Sequence, residues 1–161
     1  MKAIVGRASV VVDRSVAECF ALLSAVDRYP EWNGELVREA EVLERRPAGK
    51  PSIVRMTLHV AQSPFGKRFA FRAGFTAEPV STVRLMRLAD RPSDRERLEV
   101  DWSLHQEAGT RIELTFRAVT SLLPGFLPVF GIGDEIAAFL VATVEDGLSR
   151  ADPGTGGSQA G

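Results

Sequence analysis

Cysteine occurs once, at Cys19, so no internal disulfide can form, which fits a reducing compartment. Long apolar runs are missing as well. The longest, residues 136–144, is less than half of the roughly 20 residues that a membrane-spanning helix requires. The opening stretch "MKAIVGRASVVVDRS" has no uninterrupted apolar centre, because Arg7, Asp13 and Arg14 break it, and so it does not read as a secretory leader. These absences predict a cytoplasmic protein without stable membrane insertion. No charge of one sign dominates: the formal net charge is −1 and the isoelectric point is near 6.2, which leaves no global field to gather nucleic acid. Lysine is scarce. The 20 basic residues comprise Lys2, Lys50, Lys67 and 17 arginines, a bias that reads as genomic composition, although arginines can still grip carboxylate or phosphate. Histidine occurs only at His59 and His105, with no third ligand at metal spacing, so neither a metal nor another cofactor is expected.

What is present is ordinary for a folded domain. With 161 residues, 45% of them hydrophobic and 25% charged, the chain is long enough to bury one sizeable core. The domain is expected over 1–150, followed by "ADPGTGGSQAG", 151–161, as a flexible tail. No internal repeat is visible.

Period-2 alternation dominates the middle of the chain. "SVVVD" starts a strand, and Asp13 or Ser15 can cap the helix that follows. Val16, Cys19, Phe20 and Leu23 form its apolar stripe, and Pro30 is expected to end it. "ELVREAEVLER" reads as a strand with Leu36, Arg38, Ala40 and Val42 on one face. Dry faces are then predicted at Val54, Met56, Leu58 and Val60, at Phe69, Phe71, Ala73 and Phe75, at Leu98, Val100, Trp102 and Leu104, and at Ile112, Leu114, Phe116 and Ala118. "STVRLMRL" is a strand without a defined phase, since both of its faces carry an arginine. "DEIAAFLVATVEDGLSR" is a helix with acidic residues at its positive end, apolar nearly all round over 136–144, and so expected to be wrapped by the rest of the protein. The order predicts an α+β fold: a curved antiparallel sheet of about seven strands around a long C-terminal helix, with two short helices after the first strand.

"VVVDRSVAECFALLSAVDRYPEWN" resembles the opening of the SRPBCC superfamily, whose strand, helix, aspartate and Tyr-Pro-x-Trp it matches. That superfamily has the helix-grip fold shared by START lipid-transfer domains, the birch-pollen-allergen group and bacterial polyketide cyclases. The resemblance continues through the strand-rich middle to the last helix, over about residues 3–150. It implies an internal cavity, one edge of it cradled by the two short helices, with Tyr29 and Trp32 placed beside it. Aromatic rings serve cores and pockets alike, so both rings have a purely structural alternative. "FGIGDEIAAFLVATVEDGL" is also similar to the last helix of small mycobacterial members proposed as toxins of toxin–antitoxin pairs.

Three functions follow as candidates. The first is a binding module whose cavity, lined by Met56, Leu58, Phe71, Phe75, Met86, Trp102, Phe130 and Phe139, holds a lipid, quinone or polyketide-like molecule. The second, implied by the resemblance, is a polyketide cyclase or dehydrase, for which the only polar groups available are Arg38, Arg84 and Tyr29. The third is a toxin-like component acting through its surface. Arg38 falls on the expected dry face, where it would anchor a ligand carboxylate or phenolate, or else reach water at the cavity mouth. No catalytic set stands out. Asp101, Ser103 and His105 share an outward face that offers no oxyanion hole, and Cys19 lies on the buried stripe of its helix. Glu99, Asp101 and Glu113 are expected to meet Arg72, Arg111 and Arg117 across the outer sheet. Residues 123–133, rich in Pro, Gly and large apolar side chains, are expected to form a lid over the cavity.

Overall fold

The structure, a computed structural model, describes residues 2–60, 67–121 and 131–150. Its elements run β1 (Lys2–Val12), α1 (Val16–Ser24), a 3-10 turn (Val26–Arg28), α2 (Tyr29–Trp32), β2 (Val37–Arg45), β3 (Pro51–Val60), β4 (Lys67–Glu78), β5 (Thr82–Arg87), β6 (Arg97–Gln106), β7 (Thr110–Thr120) and α3 (Ile132–Arg150). The seven strands form one antiparallel sheet in the order β1-β7-β6-β5-β4-β3-β2. Consecutive strands from β2 to β7 are neighbours, so this part of the sheet is a meander, and β1 joins it by pairing with β7 from Lys2↔Thr120 to Val12↔Thr110. The sheet curves around α3 in the helix-grip arrangement.

Alternation decides which side of each strand is dry. Ile4 and Val12, Val54 and Met56, Phe71 and Phe75, Trp102 and Leu104, and Ile112 and Leu114 are buried, as the period-2 pattern predicts. In β5 the phase left open resolves with Val83 and Leu85 inside and Arg84 and Met86 outside. Two acids account for the two arginines. Arg84 meets Asp101 at 3.0 Å on the outer face, and Arg87, at the strand end, meets Asp94 at 2.8 Å in the following loop.

The helical segments depart from expectation in two ways. First, α1 stops at Ser24, well before Pro30. Pro30 instead occupies the first turn of α2, where its missing amide hydrogen would have had no intrahelical partner. Ser15 caps α1 with a reciprocal pair: the Glu18 amide donates to Ser15 Oγ (3.0 Å), and the Ser15 amide donates to Glu18 Oε1 (3.3 Å). Second, α3 is not wrapped all round. Ala137, Val141, Val144 and Leu148 are buried, while Ala138, Phe139 and Ala142 are exposed. A single sheet grips only one side of a helix, and alanine makes an exposed face look apolar in sequence.

Close backbone contacts hold the helices on the sheet. At Gly6 the start of α3 comes so near that a Cβ on Gly6 would lie 1.9 Å from the Gly133 carbonyl oxygen. Beside it the Arg7 amide donates to Asp134 Oδ1 (2.9 Å), so the free edge of β1 is closed by the first turn of α3. At the other end Thr110, fully buried, donates its hydroxyl to the Arg14 carbonyl (2.7 Å) and ties the β6–β7 hairpin to the entrance of α1.

Candidate functional site

The Tyr-Pro-x-Trp-Asn segment is a docking element between the short helices and α3. Tyr29 is buried and donates its hydroxyl to the Leu23 carbonyl (2.6 Å), which closes the end of α1. Burial pushes its pKa upward, because the phenolate would lose its hydration. Its ring meets that of Trp32 edge-to-face, with centroids 5.2 Å apart. The Trp32 indole lies on Gly147 of α3, and the buried Asn33 donates from Nδ2 to Thr143 Oγ1 (3.4 Å). Among the described residues the buried indole Nε1–H has no hydrogen-bond partner. Trp32 therefore fastens α2 to α3, and Tyr29 braces that indole while closing the end of α1.

The other residues expected at the site separate into three groups. Met56, Phe71, Phe75 and Trp102 are buried on the inner face of the sheet, and Leu58 is half-buried there, opposite Phe69 and Val37. Met86 and Phe139 are not inside: Met86 is 37% exposed on the outer face of β5, and Phe139 is 48% exposed on the open side of α3. Arg38 is also exposed, not on the dry face. The pairing of β2 with β3 jumps from Val37↔Leu58 to Glu39↔Thr57, so Arg38 is the extra residue of a bulge, and Val37 takes the buried position. Arg38 Nη2 lies 3.2 Å from His59 Nδ1. Phe130, and the expected lid except for 131–133, lie outside the described residues.

The opening that reaches the inner face lies beneath α1. Phe20 and Ser24, one helical turn apart, face it, while the neighbouring stripe of Cys19 and Leu23 is fully buried. Opposite stand Phe75 and Ala77 at the end of β4 and the β2–β3 hairpin with Arg46, Lys50 and Pro51, and the space between has a volume of about 350 Å³. The hairpin is tight. The Arg46 amide donates to the Lys50 carbonyl (2.8 Å), and the Gly49 amide donates to the Arg46 carbonyl (2.7 Å), with Gly49 at φ +89°. The Arg46 guanidinium donates to the Phe75 carbonyl (3.2 Å), which holds it above the pocket floor. A second depression of about 220 Å³ lies at the β1–β7 edge beside the exposed Ala3, Val5 and Arg117, and so belongs to the outer surface. Of the residues lining this opening, Phe75 was expected at a cavity and Phe20 on an apolar stripe, whereas Arg46, Lys50 and Ala77 were not singled out from the sequence.

Cys19 is buried, and its thiol pKa is raised, chiefly by desolvation. His105 is exposed and lies 3.6 Å from Glu113. The outer acids pair differently from expectation: Asp101 and Glu99 both approach Arg84, and Arg111 pairs with Glu107. Among the described residues no group of three or more His, Cys, Asp or Glu is placed to hold a metal ion, and no helix is long and apolar enough to cross a membrane.

A seven-stranded sheet gripping a C-terminal helix, with two short helices over one end, defines an SRPBCC-type fold. Residues 12–142 match the family described as polyketide cyclase / dehydrase and lipid transport, and the chain belongs to that family. Among solved structures it is similar to a START superfamily protein from Mycobacterium smegmatis (TM-score 0.73, 18% identity, 91% of this chain and 97% of that one). It is also similar to the Zhui aromatase/cyclase from Streptomyces sp. R1128 (TM-score 0.62, 17% identity, 96% of each chain). A third is a protein from Thermus thermophilus (TM-score 0.60, 18% identity, 91% of this chain and 99% of that one). At these identities the likeness is one of fold. No curated protein matches the chain in sequence.

Proposed function

We propose that this protein binds a small hydrophobic molecule, of lipid, quinone or polyketide-like character, in the space between α1 and the inner face of the sheet. The observation that carries this reading is the 350 Å³ opening floored by Phe20, Phe75 and Ala77, within the usual size range of ligand pockets. Membership of a family described by cyclisation, dehydration and lipid transport supports the same class of ligand. Binding is favoured over catalysis because the side chains lining the dry face are apolar and Tyr29 is committed to the Leu23 carbonyl. A cyclase or dehydrase would need an acid or base against the substrate.

Native mass spectrometry of the purified protein, followed by titration with an environment-sensitive apolar dye, tests the reading. One dye per chain is expected, with displacement by long-chain or polycyclic compounds. Ala77→Trp should fill the opening and remove the signal while the protein stays folded. Undiminished dye binding by that variant would mean that the dye reports surface patches instead.

A further inference from the structure

We infer that the molecule taken up beneath α1 is an apolar acid whose carboxylate docks on Arg46 and Lys50. This deepens the ligand-binding reading above and rests on it. The pocket is amphipathic in a specific sense. Its floor is apolar, with Phe75 only 1% exposed, whereas its hairpin wall presents two cations from residues that flank one tight turn. Several surface arginines meet acids, Arg28 with Glu31, Arg84 with Asp101, Arg87 with Asp94 and Arg150 with Asp146, while others, Arg55, Arg68 and Arg117 among them, have no ion pair among the described residues. Arg46 and Lys50 have no carboxylate within ion-pairing distance among the described residues. An unpaired exposed lysine is common and means little by itself. What distinguishes this pair is that the Arg46 guanidinium is fixed over the pocket by its bond to the carbonyl of Phe75, itself a lining residue. One N–H is used there, and among the described residues the remaining donors of the fork have no partner and can meet a planar carboxylate.

The opposite side of the pocket sets the orientation. The carbonyl end of α1 at Ser24 places negative potential there, which repels an acid head group toward the hairpin, while Glu78, at the end of β4 on the hairpin's side, adds one carboxylate to the lining. An apolar body against Phe20 and Phe75 with its charge on Arg46 and Lys50 satisfies every wall. A neutral ligand would leave the two cations unused, and a small hydrophilic anion would leave the floor wet.

Calorimetric titration with matched pairs tests this: decanoate and 1-naphthylacetate, each against its own uncharged primary amide. The acids should bind at least about tenfold more tightly than their amides, the size of effect that one charge-assisted hydrogen bond contributes. The double variant Arg46→Gln, Lys50→Gln should bring the acids to the level of the amides, so that the preference of acid over amide disappears. Thermal melts confirm that the variant is folded. Glu78→Gln provides an independent arm, because removing the repelling carboxylate should tighten acid binding up to about fivefold without touching either cation. Equal binding of acid and amide to the wild type, or an acid preference that survives the double variant, overturns the inference while the apolar pocket stands. Binding of neither acid nor amide overturns both.

Discussion

Gly147 of α3 lies directly under the indole of Trp32, so close that a Cβ on the glycine would sit 2.9 Å from Cε3 and 3.0 Å from Cδ2. A glycine inside a helix usually costs stability, and replacing it with alanine returns about 1 kcal/mol. Here the methyl group must displace a packed ring, which costs about 1–3 kcal/mol. Gly147→Ala should therefore be neutral to destabilising by up to about 2 kcal/mol, and in a Trp32→Leu background the same change should become stabilising. Denaturant unfolding of the four proteins of this cycle measures the reversal of sign.

A harsher version of the same geometry occurs at the other end of α3. A Cβ on Gly6 would fall on the backbone of Gly133, where no side chain can swing aside. Gly6→Ala is expected to cost several kcal/mol, at the exceptional end for a single methyl group. It should also expose amides at the start of α3, including that of Asp134, to fast hydrogen exchange. Wild-type exchange rates in that turn would contradict so close an approach.

Tyr29 is the only tyrosine in the chain, so its ionisation can be followed directly by ultraviolet absorbance. Burial raises its pKa in the folded protein above the ordinary value of about 10. The corresponding stability is fully present below pH 10 and is lost as pH rises beyond it, because the unfolded chain ionises first. No tyrosinate should appear in the folded protein near pH 10.5, and its appearance at higher pH should coincide with unfolding. Tyr29→Phe should cost about 0.5–1.5 kcal/mol near neutrality and weaken this alkaline transition.

The loop between β5 and β6 responds at the opposite end of the pH scale. The Asp94 carboxylate accepts hydrogen bonds from the Asp90 and Glu96 amides and from Arg87, and together these hold its pKa down at about 2. Its contribution to stability is present above the ordinary aspartate value of about 3.9 and disappears as pH falls toward 2. Asp94→Asn should destabilise the protein at pH 6 and flatten the loss of stability between pH 4 and 2. Parallel pH profiles for the two proteins would mean that these bonds form equally well in the unfolded chain.

Strand alternation was legible because each strand has one wet and one dry face, and seven strands repeat the message. It failed at Arg38 for a local reason. A single bulged residue leaves Arg38 outside and puts Val37 in the buried position, while Ala40 and Val42 keep the expected face, and nothing in "ELVREAEV" marks where the bulge falls. The phase of β5 was hidden because the acids that settle Arg84 and Arg87 lie on β6 and in the loop before it. The pocket was hidden for a similar reason: Phe20, Arg46 and Phe75 are about 25–30 residues apart along the chain and meet only after the sheet curls under α1. Trp32 was recognised as large and placed, but its partner is a glycine, which carries no pattern that pairs it with an indole.

The central claim is that an apolar molecule sits beneath α1 against Phe20 and Phe75. Nuclear Overhauser contacts from bound 1-naphthylacetate to the protein test it most directly. The account predicts contacts to the rings of Phe20 and Phe75 and to the Ala77 methyl group, all lost in Ala77→Trp. Contacts confined to the exposed Val5, Val11, Met86 or Phe139 would contradict it.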